Sequence, residues 1–164
     1  YGKVLLQHER TNIAGVARSK YRLARLKELA SSSQHGAKPL MEQATFRGKL
    51  VATEVALKAL EYTDLRTLAA VAKGKAPGPE SSILKIKGTE MQQRLDTLYM
   101  EAAGYYALPY VPDQFTLDAA DDDVVVDSSE PTTALSYFNY RKASIYGGSN
   151  EIQKNIIAKH VLGL

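Results

Sequence analysis

Leu84, Gly88, Met91, Leu95, Leu98 and Ala102 follow one another at alternating steps of four and three residues, and that spacing limits what the chain can become more than any other feature. Residues three and four apart share a face of an α-helix, so the run draws an apolar seam made to pack on other helices at coiled-coil-like angles. Gly88 within the seam allows a close neighbour.

Two earlier stretches carry a related period. From about residue 3 to 32, Ile13, Ala17, Tyr21 and Ala24 fall on one face with Leu23, Leu26 and Ala30 beside it, while Arg18, Lys20, Arg22 and Arg25 occupy the remainder. "SSSQHGAKPL" breaks this helix: its serines compete for the backbone, Gly36 tolerates left-handed geometry and Pro39 cannot continue a helix. A second helix begins near Leu40, and from Met41 to Lys73 its apolar positions are Phe46, Leu50, Leu57, Leu60, Leu68 and Val71, ending at "KGKAPGPE". The three helices, of about 25 to 33 residues each, are long against the usual 11 to 12. Between Pro109 and Thr133 periodicity is lost in an acidic, proline-containing loop. "ALSYFNYRKAS" then reads as a short helix, and a final one runs from about Asn150 to Val161. The expected fold is all-α, an up-down helical bundle of three long helices plus two shorter C-terminal helices.

The 164 residues, 45% of them hydrophobic, suffice for one core and one domain. Apolar runs fall far short of the roughly 18 residues of a membrane span, and no segment resembles a signal peptide, so a soluble chain is expected. Without cysteine there is no disulfide framework or thiolate metal site, and His8, His35 and His160 form no ligand pattern. The net charge of +3 is spread along the helical patterns, a weak signal for nucleic acid. Residue 1 is a tyrosine and the chain enters a helical pattern at once, which suggests a domain of a longer protein.

Gly147 and Gly148 stand directly before Ser149 and Asn150, both good N-caps, with Gln153 three residues after Asn150 as a capping-box partner. Free N–H groups at a helix start, with two successive positions lacking a side chain, form a concave donor site for an anion or a polarised carbonyl. Tyr146 would wall it. A flexible hinge before a terminal helix is the alternative, and spacing alone leaves both open.

"IYGGSNEIQKNIIAKHVLGL" resembles the C-terminal signature of the acyl-CoA dehydrogenases, and "HERTNIAG" resembles the start of the first helix of that family's C-terminal domain. "PGPESSILKIKGTEMQQRLDTLYMEAAGYYALPY" between them is also similar, so the resemblance covers essentially residues 1–164. It is closest to bacterial members such as the pimeloyl-CoA dehydrogenase large subunit. The resemblance implies an FAD-dependent oxidoreductase of fatty acid metabolism that converts an acyl-CoA thioester to its trans-2-enoyl form, a carboxylate taking the α proton while the β hydride passes to the flavin.

Many members carry the base directly after the tyrosine of the closing motif, where this sequence has Gly147; another branch places a glutamate on the first helix, just before an arginine. Here Glu9 precedes Arg10. The resemblance therefore makes Glu9 the candidate base and Arg10 a candidate for shaping the acyl-CoA site, although a Glu-Arg pair read alone is an ordinary solvated helix face. It further implies that the Gly147 N–H binds the thioester carbonyl, that Gly148 lines the substrate, that Tyr146 packs near flavin and acyl chain, and that Ser149, Asn150 and Glu151 meet the flavin and its pyrophosphate.

Two departures concern FAD contacts across subunits. The family's Arg-x-x-Phe-Gly segment is here "SSQHGAKPL", keeping only Gly36, and its Gln-x-x-Gly-Gly-x-Gly-Phe motif is "EAAGYYAL", where Gly104 holds its place. Either adenosine is bound differently, or unlike subunits pair and only one kind of site works. Family members place a helical and a β-barrel domain ahead of this one, and this chain has neither, so alone it is expected to bind FAD poorly and turn nothing over. The implied partners are acyl-CoA, a homo- or hetero-oligomeric dimer or tetramer built on these helices, and an electron-transfer flavoprotein-type acceptor. The implied location is a bacterial cytoplasm, or a mitochondrial matrix. A non-catalytic oligomerisation or partner-subunit bundle is the second reading, and a DNA-binding branch of the fold the third.

Overall fold

The computed structural model describes residues 14–75, 78–107 and 133–164. Among the described residues, five α-helices order as α1 (Val16–Ser32), α2 (Ala44–Ala72), α3 (Glu80–Ala103), α4 (Thr133–Tyr140) and α5 (Asn150–Ile157). The fold is all-α, and its described residues form an up-down bundle of three long helices and two shorter ones. Between α1 and α2 the strands β1 (Gln34–His35) and β2 (Lys38–Pro39) pair antiparallel around Gly36, whose φ of 77° is what a tight reversal there requires. A 3-10 turn, Leu40–Glu42, leads into α2.

α3 is the axle of the molecule, packed against each of the other four helices. Leu84, Met91, Leu95, Leu98 and Ala102 of its seam are all buried, as is Gly88. They close on Leu23, Leu26 and Ala30 from α1 and Phe46, Leu50, Leu57 and Leu60 from α2, and removal of that apolar surface from water is the main stabilising term.

The first helix departs from expectation in two ways. Gly15 holds a left-handed backbone, φ 56°, so no single helix runs unbroken through it, and α1 starts at Val16. Its buried stripe is Ser19, Leu23, Leu26 and Ala30, whereas Ala17, Tyr21 and Ala24 are exposed. Tyr21 and Leu23 stand about 200° apart around the axis, so the two faces cannot share a core. In α2 the stripe continues from Leu60 to Thr67, one heptad on, and Leu68 is left half exposed. Thr67 tolerates burial because its hydroxyl donates to the Thr63 carbonyl at 3.0 Å.

α4 is prolonged by a 3-10 turn, Arg141–Ser144, and α5 by a π turn, Ala158–Leu162. The acidic stretch read as a loop lies outside the described residues apart from Thr133, the first residue of α4.

Candidate functional site

The reversal between α4 and α5 brings Tyr146, Gly147, Gly148 and Ser149 together at the N-terminus of α5. Gly147 and Gly148 have φ of 69° and 90°, a left-handed pair that side-chain-bearing residues adopt only with strain. Ser149 is the N-cap, its Oγ accepting from the Ile152 N–H at 3.4 Å.

Gln153 does not close a capping box from Asn150. Fully buried, it folds back and donates from Nε2 to the carbonyls of Gly147 at 3.2 Å and Gly148 at 3.4 Å. Among the described residues, the N–H groups of Gly147, Gly148 and Ser149 meet no acceptor. The turn thus has its carbonyls bound inside and its donors unused.

A second clamp comes from α3. The Lys85 ammonium, fully buried, donates to the Ser144 carbonyl and to Asn150 Oδ1, both at 2.8 Å. These partners lie three residues before and three after Gly147. Burial pushes the Lys85 ammonium below its ordinary pKa, with the Glu151 charge opposing the fall. The Asn150 side chain therefore points to the bundle interior.

Lys85 belongs to a polar stripe along α3. Ser82, Lys85, Thr89, Gln93 and Asp96 follow at steps of three, four, four and three, and all but the half-buried Gln93 are buried. Gln93 Nε2 donates to the carbonyls of Tyr140 at 3.2 Å and Arg141 at 3.1 Å, and Arg141 returns a bond to the Gln93 carbonyl at 3.1 Å. Asp96 meets Arg22 of α1 at 2.6 Å. Burial pushes the Asp96 carboxyl up, against the downward pull of Arg22. Arg22 also lies over the Tyr99 ring, 5.0 Å from its centroid. The stripe joins α3 to α1, α4 and α5 through polar contacts, while the seam joins it to α1 and α2 through apolar ones.

Tyr146 is 44% exposed. Partial burial, then the neighbouring Tyr140, raise its phenol above the ordinary value, and Arg18 pulls it down. Arg18 donates to the Tyr140 hydroxyl and stacks on that ring at 5.0 Å. Glu151 is exposed; its own backbone N–H, then the Ser149 hydroxyl, hold its carboxyl below the usual range. Gly104 ends α3 at φ 56°, roughly 28 Å along the helix from Lys85 at 1.5 Å per residue, so within this chain it is not part of the turn. Glu9 and Arg10 lie outside the described residues.

Lys85 and the inward role of Gln153 were not anticipated from sequence. The regular polar spacing on α3 is the signal that could have marked Lys85, since charged residues at helical steps inside a packed helix need buried partners.

The family described as "Acyl-CoA dehydrogenase, C-terminal domain" matches residues 3–162. No curated protein matches the sequence. Among solved structures, the chain is similar to glutaryl-coenzyme A dehydrogenase in complex with glutaryl-CoA, with a TM-score of 0.75, 20% identity and 96% of this chain covered against 36% of that one. It is similar to butyryl-CoA dehydrogenase from Megasphaera elsdenii, TM-score 0.73 and 19% identity, covering 96% of this chain and 37% of that one. PigA with FAD and proline gives a TM-score of 0.76 at 17% identity, with 97% and 37% covered. At these identities the likeness is one of fold, and the chain spans little more than a third of each of these structures. The family match over nearly every residue, on a bundle of the same shape, makes this chain a member of the acyl-CoA dehydrogenase family, corresponding to its C-terminal domain.

Proposed function

We propose that the chain is the C-terminal domain of an FAD-dependent acyl-CoA dehydrogenase, which oxidises an acyl-CoA thioester at its α and β carbons to the 2-enoyl-CoA. The carrying observation is the Gly147–Gly148 turn, with its carbonyls held by Gln153 and its N–H groups without an acceptor among the described residues. Donors fixed in advance at a developing enolate oxygen stabilise charge without reorganising during the reaction. In this reading the Gly147 N–H receives the thioester oxygen and Gly148 leaves room for the acyl chain.

The turn's chemistry fits the flavin-and-thioester end of such a site: an exposed aromatic ring at Tyr146, bare backbone at two positions and a helix N-terminus. Tyr146, the Ser149 hydroxyl and the backbone N–H groups of Asn150 and Glu151 would hold FAD. Bound there, FAD supplies the acceptor for the β hydride. The Glu151 carboxylate would repel a phosphate oxygen, so the backbone N–H, not the side chain, is the proposed contact. Gly104 belongs to an adenosine contact with a neighbouring subunit.

Glu9 is the proposed base. Gly147 has no carboxylate to offer, and Glu9 followed by Arg10 stands where one branch of the family places that pair. Arg10 shapes the acyl-CoA site. The test uses the full-length protein with any partner subunit: anaerobic single-turnover flavin bleaching by acyl-CoA thioesters, wild type against Glu9→Gln. The expected result is loss of bleaching by at least about 100-fold, the scale of general-base catalysis, with FAD content and acyl-CoA binding retained. Unchanged bleaching removes Glu9 from the mechanism.

An assembly role is supported by a separate observation. Val51, Val55, Tyr62 and Leu65, at steps of four, seven and three, make a second, exposed apolar face on α2, and an apolar face left in water marks an interface. We assign it to contact between subunits, alike or unlike. Re-oxidation of the reduced enzyme would fall to an electron-transfer flavoprotein-type acceptor. Lys20, Lys27, Lys49, Lys58 and Lys87 each meet a carboxylate, which lends the DNA-binding reading no support.

A further inference from the structure

We propose that Gln153 is a positioning residue for the reaction, the side chain that fixes the two peptide planes after Gly147 and Gly148 and so sets the Gly148 and Ser149 N–H groups beside the Gly147 donor that meets the thioester oxygen. The proposal rests on the reading of that turn as the thioester site.

Gln153 is completely buried, one turn into α5. Its Nε2 carries two N–H groups and spends them on two successive carbonyls, Gly147 at 3.2 Å and Gly148 at 3.4 Å. Its Oε1 is buried without a partner among the described residues. Exchanging the amide's N and O would set Oε1 against both carbonyl oxygens, so this orientation is the one the surroundings permit. A glutamine that leaves its acceptor unused inside the molecule is held there for its donors, since an unmade buried hydrogen bond is costly.

The consequence follows from peptide geometry. In a trans peptide the C=O and the following N–H point in opposite directions, and there is no cis bond among the described residues. With the Gly147 and Gly148 carbonyls drawn to Gln153, the N–H groups of Gly148 and Ser149 face away from it. Two neighbouring donors therefore share one direction, and the Gly147 N–H, which belongs to the preceding peptide, is set by Gln153 only through the Gly147 Cα that it shares with the first held carbonyl.

Gly148 is part of the same device. A Cβ there would stand 2.7 Å from Gln153 Nε2, so the glycine admits the amide as well as the positive φ. Lys85 pins the turn's flanks at Ser144 and Asn150, leaving peptide orientation as what Gln153 decides. The charges that act on one another beside the turn are those of Lys85 of α3 and Glu151 and Lys154 of α5; Arg141 and Lys142 precede the turn, and Lys87, Glu90, Arg94 and Asp96 lie further along α3.

The test uses the FAD-loaded full-length protein and 3-oxobutanoyl-CoA, whose acidic α-carbon lets it bind as an enolate and absorb at long wavelength against oxidised flavin. Gln153→Met, which packs without donating, should weaken that binding by about 10- to 100-fold at unchanged FAD content, short of the 10²- to 10³-fold that follows outright loss of an oxyanion donor. With a turning-over thioester it should lower kcat more than it changes KM. Gln153→Glu has the same shape but donates only when protonated, so its probe binding should recover as pH falls through the carboxyl's pKa, a limb the wild type lacks. Equal probe binding by wild type and both variants at every pH overturns the proposal while leaving the thioester reading in place. Should Gln153→Met lose FAD, the Gln153→Glu profile decides: a recovering limb supports the proposal and a flat one overturns it. A wild type that neither absorbs with the probe nor binds it removes the thioester reading and this proposal with it.

Discussion

A methyl group at Gly148 would meet two obstacles at once, a φ of 90° and a Cβ 2.7 Å from Gln153 Nε2. The left-handed backbone alone costs about 1–2 kcal/mol for a residue with a side chain, and the Gln153 amide must move as well. Gly148→Ala is therefore expected to lower stability by at least that amount in a urea titration, whereas Gly74→Ala, also at positive φ but with open space around it, should cost only the backbone term. Equal losses would mean that the amide does not sit against Gly148. Residue-scale features of this kind were only half legible beforehand. The glycine pair and Ser149 mark a helix start in any sequence, yet the partner of Asn150 is Lys85, 65 residues away, and no local spacing reports it. Gln153 has the capping-box offset only from Asn150, whereas the cap is Ser149, one residue earlier, and the packed interior holds Gln153 inward.

At the scale of elements, burial separates positions that periodicity treats alike. Leu95 of α3 is fully buried and Leu68 of α2 is half exposed. Leu95→Ala should cost about 2–5 kcal/mol and Leu68→Ala within about 0.5 kcal/mol, read from urea midpoints at constant slope. Comparable losses would put the core in the wrong register. The seam of α3 was legible because its steps of four and three admit one buried face. α1 and α2 were less so because each is apolar on two faces, one for the core and one outside it, and a single chain does not say which is which. The α1–α2 contact also carries a pH signature. Glu61 takes hydrogen bonds from Lys20 at 2.7 Å and Lys58 at 2.8 Å, which pull its carboxyl down from 4.5 to about 2. A carboxyl lowered on folding adds stability above its ordinary pKa and loses it as pH falls toward the folded value. The stability gap between wild type and Glu61→Gln should be level near neutrality and close between about pH 4.5 and 2; these groups are solvated, so the gap is small and shrinks in salt. A gap that widens in acid would contradict the assignment.

For the whole molecule, α3 separates two kinds of work. Its apolar seam builds the bundle with α1 and α2, and its polar stripe seats α4 and α5, so the turn that carries the proposed chemistry hangs on Lys85, Gln93 and Gln153. The exposed face of α2 points outward from the same bundle. Val55→Lys and Leu65→Lys are expected to lower the sedimenting mass of the full-length protein with little change in monomer stability; an unchanged mass would place the subunit contact elsewhere. The central claim is that this turn receives an acyl thioester beside a flavin. Anaerobic titration of the FAD-loaded full-length protein with a panel of acyl-CoA thioesters tests it most directly. The account predicts that at least one thioester bleaches the flavin and yields 2-enoyl-CoA in equal amount. Full FAD occupancy with no bleaching by any thioester of the panel would contradict it.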